Sequence, residues 1–356
     1  MSKLAMRRAW FQVHKWIGLT LAILIVPVSL SGAALVWHDA LDRMVNPARY
    51  AVTGDMSLAP DAYVAAARAA LKPGERVSQL TMPDDGGPVA IAAQPAQIDA
   101  SRRGPPPRTM VYLDPPTARV LQVAPSNAGL VRFLHGLHGS LQVPGVGRQI
   151  VGWIGVAMLV SSFTGLWLWW PTVGTWVKGL RWRRHRNTDT NLHFLMGFWI
   201  ALPLFVLSLT GVWISFPGVF GGGGRGPDRA AAMRAQALGD PAQPLSVVVE
   251  RGASVRSGTI RSIAWPTTRS PDWTVTYADG ATVKVADDGG VAVAVASRQP
   301  GGAARLMRRI HDGQGMGLPW QAIIVAGGLL PAALAVTGII MWWRAREWRA
   351  KVAAKR

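Results

Sequence analysis

The sequence predicts a membrane all-α four-helix bundle, made from a duplicated two-span unit, with two small α+β modules outside the bilayer. Three observations carry this: four long apolar runs without charge, basic segments that alternate with acidic ones, and a repeat whose copies align without a gap. The runs are Ile17–Trp37, Ile150–Trp170, Phe194–Phe216 and Trp320–Trp343, and none contains Asp, Glu, Lys or Arg. A helix of about 20 apolar residues crosses a hydrocarbon core of roughly 30 Å, and a soluble helix seldom stays apolar on every face for that length. The first run is too long for the apolar region of a signal peptide, and Trp37-His38-Asp39 is a poor cleavage context, so it reads as an uncleaved anchor.

Charge sets the expected orientation. Lys3, Arg7, Arg8 and Lys15 precede the first run. Lys178, Arg181, Arg183, Arg184 and Arg186 follow the second, and Arg344, Arg346, Arg349, Lys351, Lys355 and Arg356 follow the fourth. The positive-inside bias places these three stretches in the cytosol of a bacterial cell and the long segments between them in the periplasm. The order is then a cytosolic N-terminus (1–16), span one (17–37), a periplasmic module (38–149), span two (150–170) and a basic cytosolic loop (171–193). Span three (194–216), a second periplasmic module (217–319), span four (320–343) and a cytosolic tail (344–356) complete it. The partner implied is the lipid bilayer of the inner membrane. The net charge of +19 is divided among short juxtamembrane pieces, a pattern that does not suit nucleic acid. The chain has no cysteine, which excludes disulfides, iron–sulfur clusters, thiolate metal sites and covalent haem attachment.

The repeat joins the halves. At an offset of 179, His14 falls on His193, Gly18 on Gly197, and Ser29-Leu30-Ser31-Gly32 on Ser208-Leu209-Thr210-Gly211. At an offset of 173, His138 falls on His311, Thr164-Gly165 on Thr337-Gly338, and Trp169-Trp170 on Trp342-Trp343. The outside segments match more loosely. Helix-like stretches (Ala59–Leu71, Pro244–Gly252) lead to strand-like stretches ending in Pro (Gln79–Pro83, Ser262–Pro266). Hairpin-like pairs follow: Met110–Leu113 with Val120–Val123, and Trp273–Tyr277 with Thr282–Val285, then Val291–Val295. Gly221–Gly224 and the Pro-rich stretch 104–107 punctuate the two segments.

Four of the seven histidines obey the repeat. His14 and His193 stand at the cytosolic ends of spans one and three, and His138 and His311 lie on the outer side before spans two and four. A lone histidine at a membrane edge is ordinarily an interfacial polar residue. A duplicated histidine is different, because helices related by a pseudo-twofold axis bring equivalent side chains toward each other. Two facing imidazoles are the axial ligands of a b-type haem, and helix bundles build such cofactor sites from facing side chains. Gly18, Gly32, Gly197 and Gly211 leave room for a flat macrocycle or for close helix packing. His135 lies one turn before His138 but aligns with Arg308; His38 aligns with Pro217; either is open as a replacement for an outer ligand. His185 belongs to the basic loop.

Taken together, His14-Lys15-Trp16-Ile17-Gly18-Leu19, Leu192-His193-Phe194-Leu195-Met196-Gly197, Phe133-Leu134-His135-Gly136-Leu137-His138-Gly139-Ser140-Leu141 and Ile310–Pro319 resemble the PepSY-associated transmembrane family, which includes ferric-siderophore reductases. The resemblance covers nearly the whole chain. It implies PepSY-like periplasmic modules and two b-type haems, the inner held by His14 and His193 and the outer by His138 and His311 as axial iron ligands. It implies electron transfer outward to a ferric chelate or siderophore. The short cytosolic segments hold no Gly-rich dinucleotide fingerprint, so the donor is a cytosolic reductase or a membrane quinol. Arg132, Arg148, Arg305, Arg308 and Arg309 are candidates for binding propionates or an anionic chelate, or for headgroup contact. No proton-shuttling catalytic residue is required. Two other readings stay open: a non-enzymatic regulator or scaffold, and a membrane protein that handles metal ions through its histidines.

Overall fold

A computed structural model describes residues 2–83, 86–95, 97, 106–173, 177, 185–220, 235–295 and 302–355. Lys178, Arg181, Arg183 and Arg184 of the basic loop, Arg356, Gly221–Gly224 and residues 104–105 of the Pro-rich stretch lie outside the described residues.

Two compact units emerge. The first takes residues 1–38, 133–223 and 300–356. Its long helices are α1 (Lys3–Leu35), with α5 (Gly147–Val173), α6 (Thr188–Ser215) and α9 (Gly317–Ala353) later in the chain, each long and apolar enough to cross a membrane. They extend beyond the apolar runs, because the basic flanks of α1 and α9 continue as helix. Helix α1 packs on α5 and α9, and α6 packs on the same two. The helices therefore form a ring in which α1 and α6, the duplicated pair, stand diagonally. Two short helices complete the unit at the end away from the termini: α4 (Leu130–Ser140), which leads into α5, and α8 (Gly302–Asp312), which leads into α9. Arg344 on α9 pairs with Asp189 on α6 at 2.6 Å and donates to Thr190 at 2.9 Å, tying two helix ends together beside the termini.

The second unit takes residues 39–132 and 224–299. Here the expectation of two small separate modules on a four-helix bundle is corrected. The strands are β1 (Arg76–Thr81), β2 (Val89–Gln94), β3 (Thr109–Leu113), β4 (Val120–Pro125), β5 (Ile260–Ala264), β6 (Asp272–Tyr277), β7 (Thr282–Ala286) and β8 (Ala292–Val295). They make one antiparallel sheet in the order β4-β3-β2-β1-β5-β6-β7-β8. The first and second halves join where β1 pairs β5, Leu80 opposite Ile263. The order is palindromic, so a pseudo-twofold axis passes through that pairing. Each of these two strands also carries a bulge, at Ser78 and Arg261.

The merger has a plain physical cause. A module of four short strands and one helix exposes the edge of its first strand, and pairing the two edges satisfies both rows of backbone groups. Helices α3 (Pro60–Ala70) and α7 (Leu245–Val255) cover one shared core with Tyr63, Leu80, Ile91 and Val111 from one half and Val248, Ile263, Trp273 and Val275 from the other. Each such aliphatic side chain, fully buried, contributes about 1.5–3 kcal/mol.

A buried aspartate closes each half. Asp114, just after β3, accepts from the Thr53 N–H at 2.8 Å, the Thr53 hydroxyl at 2.7 Å and the Thr117 hydroxyl at 2.6 Å. Asp287, just after β7, accepts from the N–H groups of Ala242 and Gln243 and from Trp273 Nε1 at 2.8 Å. The two aspartates are 173 residues apart, the offset of the second and fourth spans.

Candidate functional site

The first unit brings the duplicated histidines together in twos. The rings of His14 on α1 and His193 on α6 lie with centroids 6.4 Å apart and planes at 87°. Those of His138 on α4 and His311 on α8 lie 5.9 Å apart at 36°. An imidazole nitrogen sits about 2.0–2.1 Å from a first-row metal, so with the ring depth added, two imidazoles on opposite sides of one ion have centroids roughly 6–6.5 Å apart. The first pair has this spacing, and the second falls just short of it.

Each ring has a seat of the same design on a neighbouring helix. His14 Nδ1 lies 3.1 Å from Thr164 Oγ1 and 3.2 Å from Ser161 O on α5. His193 Nδ1 lies 2.9 Å from Thr337 Oγ1 on α9. His138 Nδ1 lies 2.8 Å from Val28 O on α1, and His311 Nδ1 lies 3.1 Å from Leu207 O and 3.0 Å from Thr210 Oγ1 on α6. The hydroxyls of Thr164, Thr210 and Thr337 already donate to carbonyls of their own helices, as does Ser31 beside the His138 seat. An acceptor therefore faces each Nδ1, and at His14 the Ser161 hydroxyl also lies 3.3 Å away. This arrangement favours a proton on Nδ1, which leaves the lone pair on Nε2. An outer-shell acceptor on the second nitrogen is how metal-binding histidines are oriented and made more basic.

A glycine makes room at every seat. A Cβ on Gly32 would lie 2.7 Å from the His138 ring, on Gly165 3.0 Å from His14, on Gly211 3.1 Å from His311, and on Gly338 3.5 Å from His193. The Ser/Thr-Gly dipeptides that carry the repeat in all four spans are thus the seats of the four histidines. This role was missed in the sequence. The dipeptides do recur, but each pair of them shares its offset with the histidines it does not serve: Gly32 and Gly211, 179 apart, seat His138 and His311, and Gly165 and Gly338, 173 apart, seat His14 and His193. Gly18 and Gly197 differ: neither approaches a histidine, and both line the cavity between the first pair.

That cavity, of about 210 Å³, runs past His14 and His193 among Phe194, Phe198, Leu204 and Leu334. Trp169 forms part of the wall and stacks on Phe198 at 4.3 Å. Among the described residues no group of three His, Cys, Asp or Glu side chains closes on a metal ion. A cavity with an imidazole from each of two helices, apolar walls and Gly18 and Gly197 in its lining has the donor set and lining that would suit a porphyrin. In the pair on α4 and α8, burial pushes the His311 imidazole down to about 3 and lowers His138 as well. Burial thus favours the neutral imidazole, the form that binds metal.

The levels of the two pairs follow from helix geometry. His138 is seated at Val28, fourteen residues along α1 from His14, and His311 at Leu207, fourteen along α6 from His193. At 1.5 Å per residue this is about 21 Å of helix, within a hydrocarbon core of roughly 30 Å.

The remaining candidates are placed as follows. His38 and His135 are not part of either pair; their rings lie against each other at 5.8 Å. His185 packs on Phe194 at 4.9 Å, at the start of α6. Arg148 donates to the Ile214 carbonyl, Arg308 pairs with Asp312 at 3.7 Å, and Arg309 donates to the Gly315 carbonyl at 3.3 Å. Arg132 and Arg305 are exposed.

Among known families, the model of the PepSY-associated TM region matches residues 11–345. No curated protein matches the chain. The match takes in all four spans, both histidine pairs and the sheet between them.

Proposed function

We propose, from the premise that this chain belongs to the PepSY-associated transmembrane family, that it is a two-haem-b electron conduit of the bacterial inner membrane. It would pass electrons from a cytosolic reductase or membrane quinol to a ferric chelate, such as a siderophore, in the periplasm. That it is a membrane protein rests on its four spanning helices and on the family itself. The observation that carries the haem assignment is the pairing of four imidazoles, each with Nδ1 within hydrogen-bond distance of an oxygen on a neighbouring helix.

His14 and His193 would hold one haem, and His138 and His311 the other. Bound there, haem iron supplies one-electron redox chemistry at a potential tuned by its ligands and their surroundings. The protein's own part is to hold the rings. The hydroxyl and carbonyl seats fix tautomer and orientation, and the apolar wall of the cavity keeps water from the first pair. The four runs that cross the bilayer carry no Asp, Glu, Lys or Arg, which suits a relay of electrons better than one of protons or ions. At the outer end, reduction would loosen a hard-oxygen chelator's hold on iron.

The test is a visible spectrum of the detergent-purified protein. Reduction should bring sharp α and β bands with two haems per chain, and His193→Ala should lose about half of them. Absence of haem, or a His193→Ala variant with undiminished haem, contradicts the proposal.

A further inference from the structure

The structure makes a third histidine pair that the repeat does not explain. Helix α1 ends at Leu35, and after a two-residue turn His38 opens α2 (His38–Val45). His135 sits on α4, one turn before His138. The two rings lie with centroids 5.8 Å apart and planes at 61°, close to the 5.9 Å of the His138–His311 pair. Their counterparts in the other half are Pro217 and Arg308, so this pair occurs in one half only.

We propose that His38 and His135 form a two-imidazole binding site for a divalent first-row transition-metal ion, beside the His138–His311 pair and open to the outer side. Two points support it. His135 is exposed, whereas His138 one turn on is tucked against α1, so an ion can reach His135 from water. The neighbouring carboxylate of Asp312 is already paired with Arg308 at 3.7 Å. Two imidazoles leave coordination positions open for water or for a departing chelator, and imidazole suits Fe(II), Ni(II), Cu(II) and Zn(II). The metal-binding claim stands on this geometry alone. The identity of the occupant rests on the proposed function: Fe(II) formed at the outer pair. The step at this site is a ligand exchange without further electron transfer. The ferrous ion leaves its oxygen donors and takes up two nitrogen lone pairs, and the chelator departs.

Zn²⁺ alone is the probe, because it is redox-inert and takes imidazole ligands. The oxidised, detergent-purified full chain is titrated by calorimetry, with haem content read from the same samples. One Zn²⁺ should bind per chain. His38→Ala and His135→Ala should each weaken that binding by at least about tenfold, the double variant should be no worse than the weaker single, and haem content should stay unchanged. His38→Asn and His135→Gln should repeat the loss in more conservative form. Wild-type affinity retained in these variants overturns the site. So does a loss of haem in either, which would make that residue an axial ligand instead. A wild-type protein that binds Zn²⁺ through these residues but contains no haem refutes the electron-conduit reading and leaves this site standing.

Discussion

The four histidine seats make predictions that differ residue by residue. A methyl group on Gly32 would come within 2.7 Å of the His138 ring, closer than side chains approach, so Gly32→Ala should displace the ring and cost the outer haem. At Gly338 the added Cβ meets His193 at 3.5 Å, an ordinary contact, so Gly338→Ala should leave haem content unchanged. Haem measured per chain in the two variants checks both. Thr337→Val keeps the shape of the His193 seat but removes its hydroxyl acceptor, 2.9 Å from Nδ1. Haem affinity at that pair should fall about 10- to 100-fold, as outer-shell losses do at metal sites. The four histidines were legible in the sequence because duplication marks them. Their seats were harder to see, since Ser-Gly or Thr-Gly in a span reads equally well as small residues that let helices approach. His38 and His135 carried no duplicated signal at all, and only the fold puts their rings together.

At the scale of elements, the sheet is where sequence reasoning fell short. The helices α3 and α7 and the hairpins β3–β4 and β6–β7 follow their sequence patterns closely. Strand β2 was missed because Val89-Ala-Ile-Ala-Ala-Gln is mostly alanine, a weak strand former; it is held as a strand by partners on both sides. The pairing of β1 with β5 was hidden for another reason. It joins residues about 180 apart, and nothing local in either strand announces that partner. Leu80, wholly buried at this seam, should cost about 2–5 kcal/mol when changed to alanine, measured as denaturant stability of the second unit. The two buried aspartates make the sheet sensitive to acid. Hydrogen bonds, first from Thr117 and then from Thr53, hold Asp114 below the ordinary carboxylate range. At Asp287, burial pushes upward, but the N–H donors of Ala242, Gln243 and Trp273 outweigh it and the result is again low. A carboxylate with a lowered folded-state pKa contributes stability that is present above its unfolded value, about 3.9, and is lost as pH falls through the folded one. Thermal unfolding of the second unit should therefore shift downward below about pH 4, and Asp287→Asn should flatten that dependence.

At the scale of the molecule, one duplication explains both units. In the bundle it places α1 opposite α6 and so sets histidine against histidine. In the sheet it places β1 against β5 and so merges two marginal modules into one domain with a shared core. The spans and their order could be read from hydropathy and charge, because a bilayer imposes the strongest constraint a sequence can carry. With no native cysteine, sidedness can be read from single-cysteine reporters. Ser257→Cys in the sheet unit should react with an impermeant maleimide added to spheroplasts, and Ser2→Cys should react only after lysis.

The most direct test of the whole account is low-temperature electron paramagnetic resonance of the oxidised protein. Axial imidazole planes near perpendicular give a highly anisotropic low-spin ferric signal, and planes closer to parallel give a rhombic one. The 87° and 36° of the two pairs predict one signal of each kind, in equal amounts. His193→Ala should abolish the anisotropic signal and spare the other. A spectrum without low-spin ferric haem, or one that His193→Ala leaves intact, would contradict the claim that these imidazole pairs each hold a haem.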